Sequence, residues 1–109
     1  MEIQTLLESP GPFKTWLESK KPSVVVGVRN GWMKCPFARF LRELGAVSYV
    51  CVGPNRVHFR KQEGEALQSL DLYEWTRRLI PLIDEDSPHN GVRAKTALRF
   101  LQTALATAA

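Results

Sequence analysis

The sequence has little of what most catalytic and metal sites are built from. It contains two cysteines and two histidines in 109 residues, and Cys35 and Cys51 lack the Cys-x-x-Cys spacing of a zinc or redox motif. No apolar run approaches the ~20 residues that a membrane span needs, and the N-terminus lacks the pattern of a signal peptide. The glycines form no phosphate-binding fingerprint. We therefore expect a cytoplasmic protein with free thiols, no membrane contact, no structural zinc and no cofactor.

What is present is the composition of a single globular domain. Hydrophobic residues make up 44% of the chain, and the length suits one compact unit spanning 1–109. A domain of this size buries only about 60–70% of the surface that its unfolded chain exposes. A deep catalytic cavity would compete with the core for the same apolar residues, so we expect the function to lie at the surface.

Helical and strand patterns follow one another in the order α-β-α-β-β-α-α. The clearest helix is 35–44, where Phe37, Phe40, Leu41 and Leu44 recur at i, i+3, i+4 and i+7. Strand patterns at 47–52 and 56–61 flank Gly53-Pro54-Asn55 and predict a β-hairpin. Within the first of them, Val47, Tyr49 and Cys51 share a face that we expect to be core.

The remaining elements are less regular. They are a helix opened by Pro12, a buried strand at 23–28, a helix capped by Asp71 and Glu74 that Pro81 should kink or end near Ile80, and an amphipathic C-terminal helix at 88–107 opened by Ser87-Pro88. The segment 29–46 is long enough for a parallel crossover. We predict an α+β fold, with a small mixed three-stranded sheet covered by helices.

Charge is unevenly distributed along the chain. Residues 29–61 hold seven basic residues against one acidic residue, a net +6, whereas 62–90 hold seven acidic against two basic, a net −5. Such a dipole would guide the approach of a partner, although mixed surface charge is also ordinary for a small soluble protein.

A set of residues in the basic segment forms a candidate binding surface. Arg56, His58 and Arg60 alternate with Val57 and Phe59 and should make a cationic stripe on one face of a strand. Charges on an edge strand also serve to prevent aggregation. The neighbouring loop and helix add further candidates, which are Arg29, Trp32, Lys34, Arg39 and Arg42.

Trp32 is the aromatic member of this set. It lies in the turn-like loop RNGWMK, where we expect it to be at least partly exposed. An exposed loop tryptophan can stack on a base or enter a partner's pocket. The alternative is a tryptophan folded over the core.

Part of the chain resembles a group of small proteins from bacteria and their phages that have no assigned activity. The resemblance rests on Cys35-Pro36-Phe37-Ala38, Leu44-Gly45, Val52-Gly53-Pro54-Asn55-Arg56-Val57 and a helix ending in Ile83-Asp84, and it covers 35–84. It implies a bacterial or phage setting and supplies no catalytic residues. The pattern departs after Asp84, where this chain has the amphipathic helix.

Two sites with catalytic or metal-binding chemistry need to be weighed. Cys35 at a helix N-terminus beside Lys34 would have its thiolate favoured, but no histidine has a legible catalytic context, and a small buried residue or helix cap is the more common role. Asp84-Glu85-Asp86 with His89 could offer ligands to a divalent ion. Three adjacent acids cannot all face one ion, so we predict a solvated acidic loop and no metal.

These observations favour a non-catalytic basic binding module of a bacterium or phage, contacting nucleic acid or a nucleic-acid-handling complex. No groove-reading motif is present, so sequence-specific recognition is not expected. A phage inhibitor that docks on a host defence protein is the first alternative, and a thiol-dependent enzyme using Cys35 is the second. The oligomeric state stays open, because the C-terminal apolar stripe could pack within the chain or across a dimer.

Overall fold

Ten helices and strands lie along the part of the chain that the computed structural model describes, residues 2–85 and 91–106. In chain order they are α1 (Ile3–Glu8), α2 (Gly11–Glu18), β1 (Val25–Val28), α3 (Pro36–Gly45), β2 (Tyr49–Val52), β3 (Arg56–Arg60), β4 (Gln68–Asp71), α4 (Glu74–Glu85), β5 (Gly91–Arg93) and α5 (Ala94–Ala106). The predicted α+β class, the predicted order of elements and the C-terminal helix are confirmed.

The strands form two separate antiparallel sheets. The three-stranded sheet has the order β2-β3-β4, and β1 pairs with β5 in a two-stranded sheet. The parallel crossover considered from the sequence does not form, because β1 takes β5 as its partner. The third strand of the sheet is β4, which begins within a polar stretch of sequence that is typical of a loop. Its burial pattern is largely exposed, so no apolar alternation marks it.

α3 and the hairpin match their sequence patterns. The apolar face of α3 places Phe37, Phe40 and Leu41 in the core. The helix begins after Cys35, whose sulfur accepts a hydrogen bond from the Ala38 N–H, and it is followed by Ala46 in a left-handed conformation with φ 51°. β2 and β3 pair in register across the Gly53-Pro54-Asn55 turn, as predicted.

The two C-terminal helices differ from their predicted boundaries. α4 continues through Pro81 to Glu85, so of the two predicted effects of Pro81, a kink or an end near Ile80, the end is wrong. Asp71 does not cap this helix, because it lies in β4. In the first turn of α4 the Thr76 and Arg77 N–H groups donate to the Tyr73 carbonyl, both at 3.1 Å. α5 begins at Ala94, and the predicted opening at Ser87-Pro88 lies outside the described residues.

The core is centred on packed aromatic rings from the helices. Phe13 lies 5.0 Å from Phe40 and 5.4 Å from Phe37 between ring centroids, and Trp75 meets Phe37 edge-on at 5.6 Å. Buried valines of both sheets extend this cluster. None of the helices within 2–85 and 91–106 is both long and apolar enough to cross a membrane.

Candidate binding surface

The loop between β1 and α3, residues 29–35, is held by backbone hydrogen bonds. The Val28 N–H donates to the Lys34 carbonyl at 2.9 Å and closes the base of the loop. The Val52 N–H donates to the Trp32 carbonyl at 2.8 Å, which joins the tip of the loop to the edge of β2. The loop is therefore built into the fold at both its base and its tip.

Side chains from both neighbouring helices hold the same loop. The Arg42 guanidinium on α3 donates through both terminal nitrogens to the Met33 carbonyl at 2.9 Å. On α4, the Asp84 carboxylate accepts the Asn30 N–H at 2.9 Å, and Asn30 has a positive φ of 56°. These contacts fix the backbone of the loop without using the Trp32 side chain.

Trp32 differs from the other two tryptophans of the chain. Its exposed fraction is 66%, against 5% for Trp16 and 7% for Trp75. Both buried indoles donate their N–H, Trp16 to Glu43 at 2.7 Å and Trp75 to a backbone carbonyl at 3.0 Å. The sequence-based prediction that Trp32 is at least partly exposed is confirmed, and the adjacent Met33 is also exposed.

A groove lies beside Trp32, between the loop, the hairpin turn and the end of α4. We call it the Trp32 groove; its volume is about 410 Å³, and its apolar lining comes from Trp32, Val52, Pro54, Ile80 and Pro81. Asp84 and Glu85 also line it, whereas no lysine or arginine of the described part of the chain does. This local charge is opposite to that of the basic segment 29–61.

A second, smaller groove lies on the other side of the same turn. It has a volume of about 250 Å³ and includes Arg56 and His58. Gly53 and Pro54 line both grooves. The turn is itself held in place, because the Gly53 N–H donates to the Arg56 carbonyl and the Leu72 N–H to the Asn55 carbonyl. The fold thus brings Trp32, Arg56 and His58 to one turn.

The predicted stripe on β3 is present. Val57 and Phe59 are buried, while Arg56 and His58 are exposed and Arg60 is half-buried on the opposite face. The Arg60 guanidinium lies 5.5 Å from the centre of the Tyr49 ring, and Arg60 also contacts Glu63 at 3.5 Å. Arg56 pairs with Asp71 of the neighbouring strand at 3.2 Å.

The arginines of the adjoining loop and helix are engaged within the fold. Arg29 donates to the Gly91 carbonyl at 3.0 Å. Arg39 contacts Glu43 at 3.7 Å and donates to the Val25 carbonyl at 3.3 Å, and Arg42 holds Met33 as described above. Lys34 is exposed, with no hydrogen bond or ion pair from its side chain to the described residues. Arg29, Arg39 and Arg42 of the predicted positive surface therefore also stabilise the fold through contacts within the chain.

Cys35 has the structural role that was weighed against a catalytic one. It is buried, and its sulfur accepts the Ala38 N–H at 3.4 Å. Burial raises the pKa of the Cys35 thiol from 9.0 to about 11, outweighing the opposing effect of the Ala38 and Phe37 N–H groups. The expectation that the pKa of the Cys35 thiol is lowered is therefore wrong, because burial of the sulfur outweighs the effect of the helix N-terminus.

The structure also corrects the predicted position of Cys51. Val50 and Val52 of β2 point into the core, while Tyr49 and Cys51 are half-buried on the other face. Cys51 lies opposite His58 on β3. Within the described residues no three metal-ligating side chains come together. The prediction of an acidic loop is wrong for Asp84 and Glu85, which belong to the last turn of α4, while Asp86 and His89 lie outside the described residues.

Comparison of the chain with protein-family models, with curated proteins and with solved structures gives no match. The site itself was only partly visible in the sequence. No local signal in the sequence marks Pro54, Ile80 and Pro81 as lining residues, because the groove arises where the end of α4 meets the hairpin turn.

Proposed function

We propose that this chain is a non-catalytic binding module that contacts nucleic acid or a nucleic-acid-handling protein complex. Its binding surface is centred on the Gly53-Pro54-Asn55 turn, with Trp32 on one side and Arg56 and His58 on the other. The observation that carries the proposal is the 66% exposure of Trp32 on a loop whose backbone is hydrogen-bonded to β2, α3 and α4.

The rigidity of the loop supports a binding role for its side chains. Leaving an indole in water forgoes the gain from burying it, which is about 25 cal/mol for each Å² of apolar surface. A partner can recover that gain on binding. Because the loop backbone is already ordered, little conformational entropy is lost when a partner contacts Trp32. Tryptophan is also among the residues most often found at binding hot spots.

The charges near the turn support contact with phosphates. Arg56 forms an ion pair with Asp71, but their side chains are 56% and 82% exposed. Exposed pairs of this kind are worth only about 0–1 kcal/mol, so Arg56 can leave Asp71 for a stronger ligand. If the partner is nucleic acid itself, Trp32 would stack on a base while Arg56 and His58 contact phosphates, and Lys34 of the Trp32 loop would add positive charge.

The structure favours one of the two alternative functions and disfavours the other. Docking on a protein, as a phage inhibitor of a host defence protein would do, is favoured by the carboxylates in the Trp32 groove. Thiol catalysis is disfavoured by the burial of Cys35 and the raised pKa of its thiol. The bacterial or phage setting and the cytoplasmic location belong to the proposal and rest on the sequence alone.

A salt titration tests the nucleic-acid arm of the proposal. Binding of an oligothymidine of eight nucleotides would be measured at several salt concentrations for wild type, Arg56→Gln and Lys14→Gln. Lys14 is an exposed residue of α2 that lines neither groove, so Lys14→Gln changes the net charge equally.

We expect Arg56→Gln to weaken binding and to flatten the dependence on salt by about one counterion, because each phosphate contact releases about one ion. Lys14→Gln should change both quantities less. Equal effects of the two variants would show that only net charge matters, and the proposed phosphate contacts would be abandoned.

A further inference from the structure

The Trp32 groove has the wrong charge for a phosphate. Among the described residues Asp84 and Glu85 line it, and no lysine, arginine or histidine within 2–85 or 91–106 does. The Asp84 carboxylate is held in place by the Asn30 N–H at 2.9 Å. The Glu85 side chain is exposed and has no hydrogen bond or ion pair to the residues that the structure describes. A nucleic-acid backbone would be repelled here and favoured only beyond the turn, near Arg56.

The rest of the groove suits an apolar or aliphatic side chain. Trp32, Val52, Pro54, Ile80 and Pro81 contribute its apolar lining, and its volume of about 410 Å³ lies at the lower end of the range of about 300–1,000 Å³ that ligand pockets occupy. Proline side chains and a loop held by hydrogen bonds give this lining a fixed shape. A ligand side chain can enter without first ordering the site.

We propose that the Trp32 groove binds a short peptide segment of a partner protein that combines arginine or lysine with an aliphatic residue. The proposal rests on the proposed function and narrows it, since it assigns this groove to protein rather than to nucleic acid. The aliphatic side chain packs against Trp32 and Pro81. The cation lies over the indole face and is paired with Asp84 and Glu85.

Physical chemistry favours this occupant over an acidic or purely apolar one. A cation over an indole face within about 6 Å gains about 0.5–1 kcal/mol at an exposed site. Arginine and lysine also cover apolar surface with their aliphatic stems while their charges remain near water. The two carboxylates add attraction for a cation and reject an acidic segment, which is how complementary charge provides specificity.

The first measurement reads the electrostatic potential at Trp32. Because Trp16 and Trp75 are buried, quenching of fluorescence by dissolved ions reports mainly Trp32. We expect the ratio of caesium to iodide quenching to exceed that of free N-acetyltryptophanamide at the same ionic strength. The double variant Asp84→Asn, Glu85→Gln should lower the ratio, whereas Glu18→Gln, Glu65→Gln, which removes two exposed acids outside the groove, should not.

The second measurement uses peptides of defined charge. The amide chemical shifts of residues 30–33 and 52–54 would be followed during titration with acetyl-Gly-Leu-Arg-Leu-Arg-Gly-amide, with its glutamate analogue and with oligothymidine. We expect the arginine peptide to bind in a saturable way and the Asp84→Asn, Glu85→Gln variant to bind it about 2–10-fold more weakly. Trp32→Ala should bind the arginine peptide more weakly still. Without peptide, its amide shifts outside residues 30–33 and 52–54 should match those of wild type, which shows that the fold is intact.

The following results would overturn the inference. Equal binding of the glutamate peptide, undiminished binding by the Asp84→Asn, Glu85→Gln variant, or no binding of the arginine peptide would do so. Dilution-dependent shifts at the same amides, without added peptide, would assign the groove to a second copy of the chain. If oligothymidine alone perturbs these amides, the inference fails and the proposed function stands; if no probe perturbs them or Arg56, both fail.

Discussion

Replacing Trp32 with alanine separates a binding residue from a core residue. A tryptophan side chain buries up to about 250 Å² when it is enclosed. With 66% of the residue exposed, about a third of that area is covered in the fold. At about 25 cal/mol per Å² this amounts to about 2 kcal/mol as an upper limit, since alanine keeps part of the area and the unfolded chain already covers some of it. We expect a measured loss of about 1 kcal/mol.

Trp75→Ala provides the contrasting case. Trp75 is 7% exposed, packs edge-on against Phe37 and donates its indole N–H to the Leu7 carbonyl at 3.0 Å. Removing a buried aromatic side chain costs about 3–5 kcal/mol. The two substitutions should therefore differ at least threefold in their effect on the free energy of unfolding.

Urea denaturation monitored by far-ultraviolet circular dichroism gives both free energies. Partner binding is then measured at a urea-free condition in which each variant is folded. Trp32→Ala should lose binding while keeping most of its stability. If it loses as much stability as Trp75→Ala and still binds after correction for the folded fraction, Trp32 is a core residue and the argument from its exposure fails.

Three further substitutions test the framework around the surface. The fold raises the pKa of the Cys35 thiol to about 11, so the neutral thiol stabilises the fold fully below about pH 9 and this stabilisation is lost as the pH rises toward 11. Across that range wild type should lose about 2–3 kcal/mol of unfolding free energy relative to Cys35→Ala in urea melts. Parallel pH profiles of the two proteins would contradict the burial of the thiol. A Cβ on Gly27 would lie 2.4 Å from the Pro36 backbone nitrogen, so Gly27→Ala should lower the melting temperature through a loss at the upper end of about 1–3 kcal/mol, and a neutral result would refute the close packing of α3 on β1. Ala46 has a φ of 51°, which glycine adopts more easily than alanine, so Ala46→Gly should stabilise the fold by about 0.5–1 kcal/mol in the same assay. A loss of stability in this variant would contradict the left-handed backbone at the end of α3.

The elements that could be predicted from the sequence are those whose burial is decided locally. α3 was visible because Phe37, Phe40 and Leu41 lie on one helical face, and the hairpin because Val57 and Phe59 alternate with charged residues. β4 and β5 escaped notice for the opposite reason. One has largely exposed side chains and the other is three residues long, so only pairing with another strand identifies them.

Errors at the site arose where tertiary packing overrides a local rule. The helix N-terminus does act on Cys35 in the expected direction, but the sulfur is buried and burial has the larger effect. In β2, apolar residues occupy both faces, so the alternation could not show that Val50 rather than Cys51 points inward. The acceptors for Arg39 and Arg42 are backbone carbonyls that approach only after folding, which no sequence spacing reveals.

The most direct test of the binding surface is affinity capture from a lysate of the source cells, with and without nuclease treatment. Wild type would be compared with Trp32→Ala and with Leu67→Ala, a control that also removes an exposed apolar side chain, 54% exposed, and lines neither groove. We predict that wild type and Leu67→Ala retain the same partner and that Trp32→Ala loses it, while the nuclease arm shows whether nucleic acid mediates the contact. Equal recovery by all three proteins, or no partner for any of them, would contradict the account.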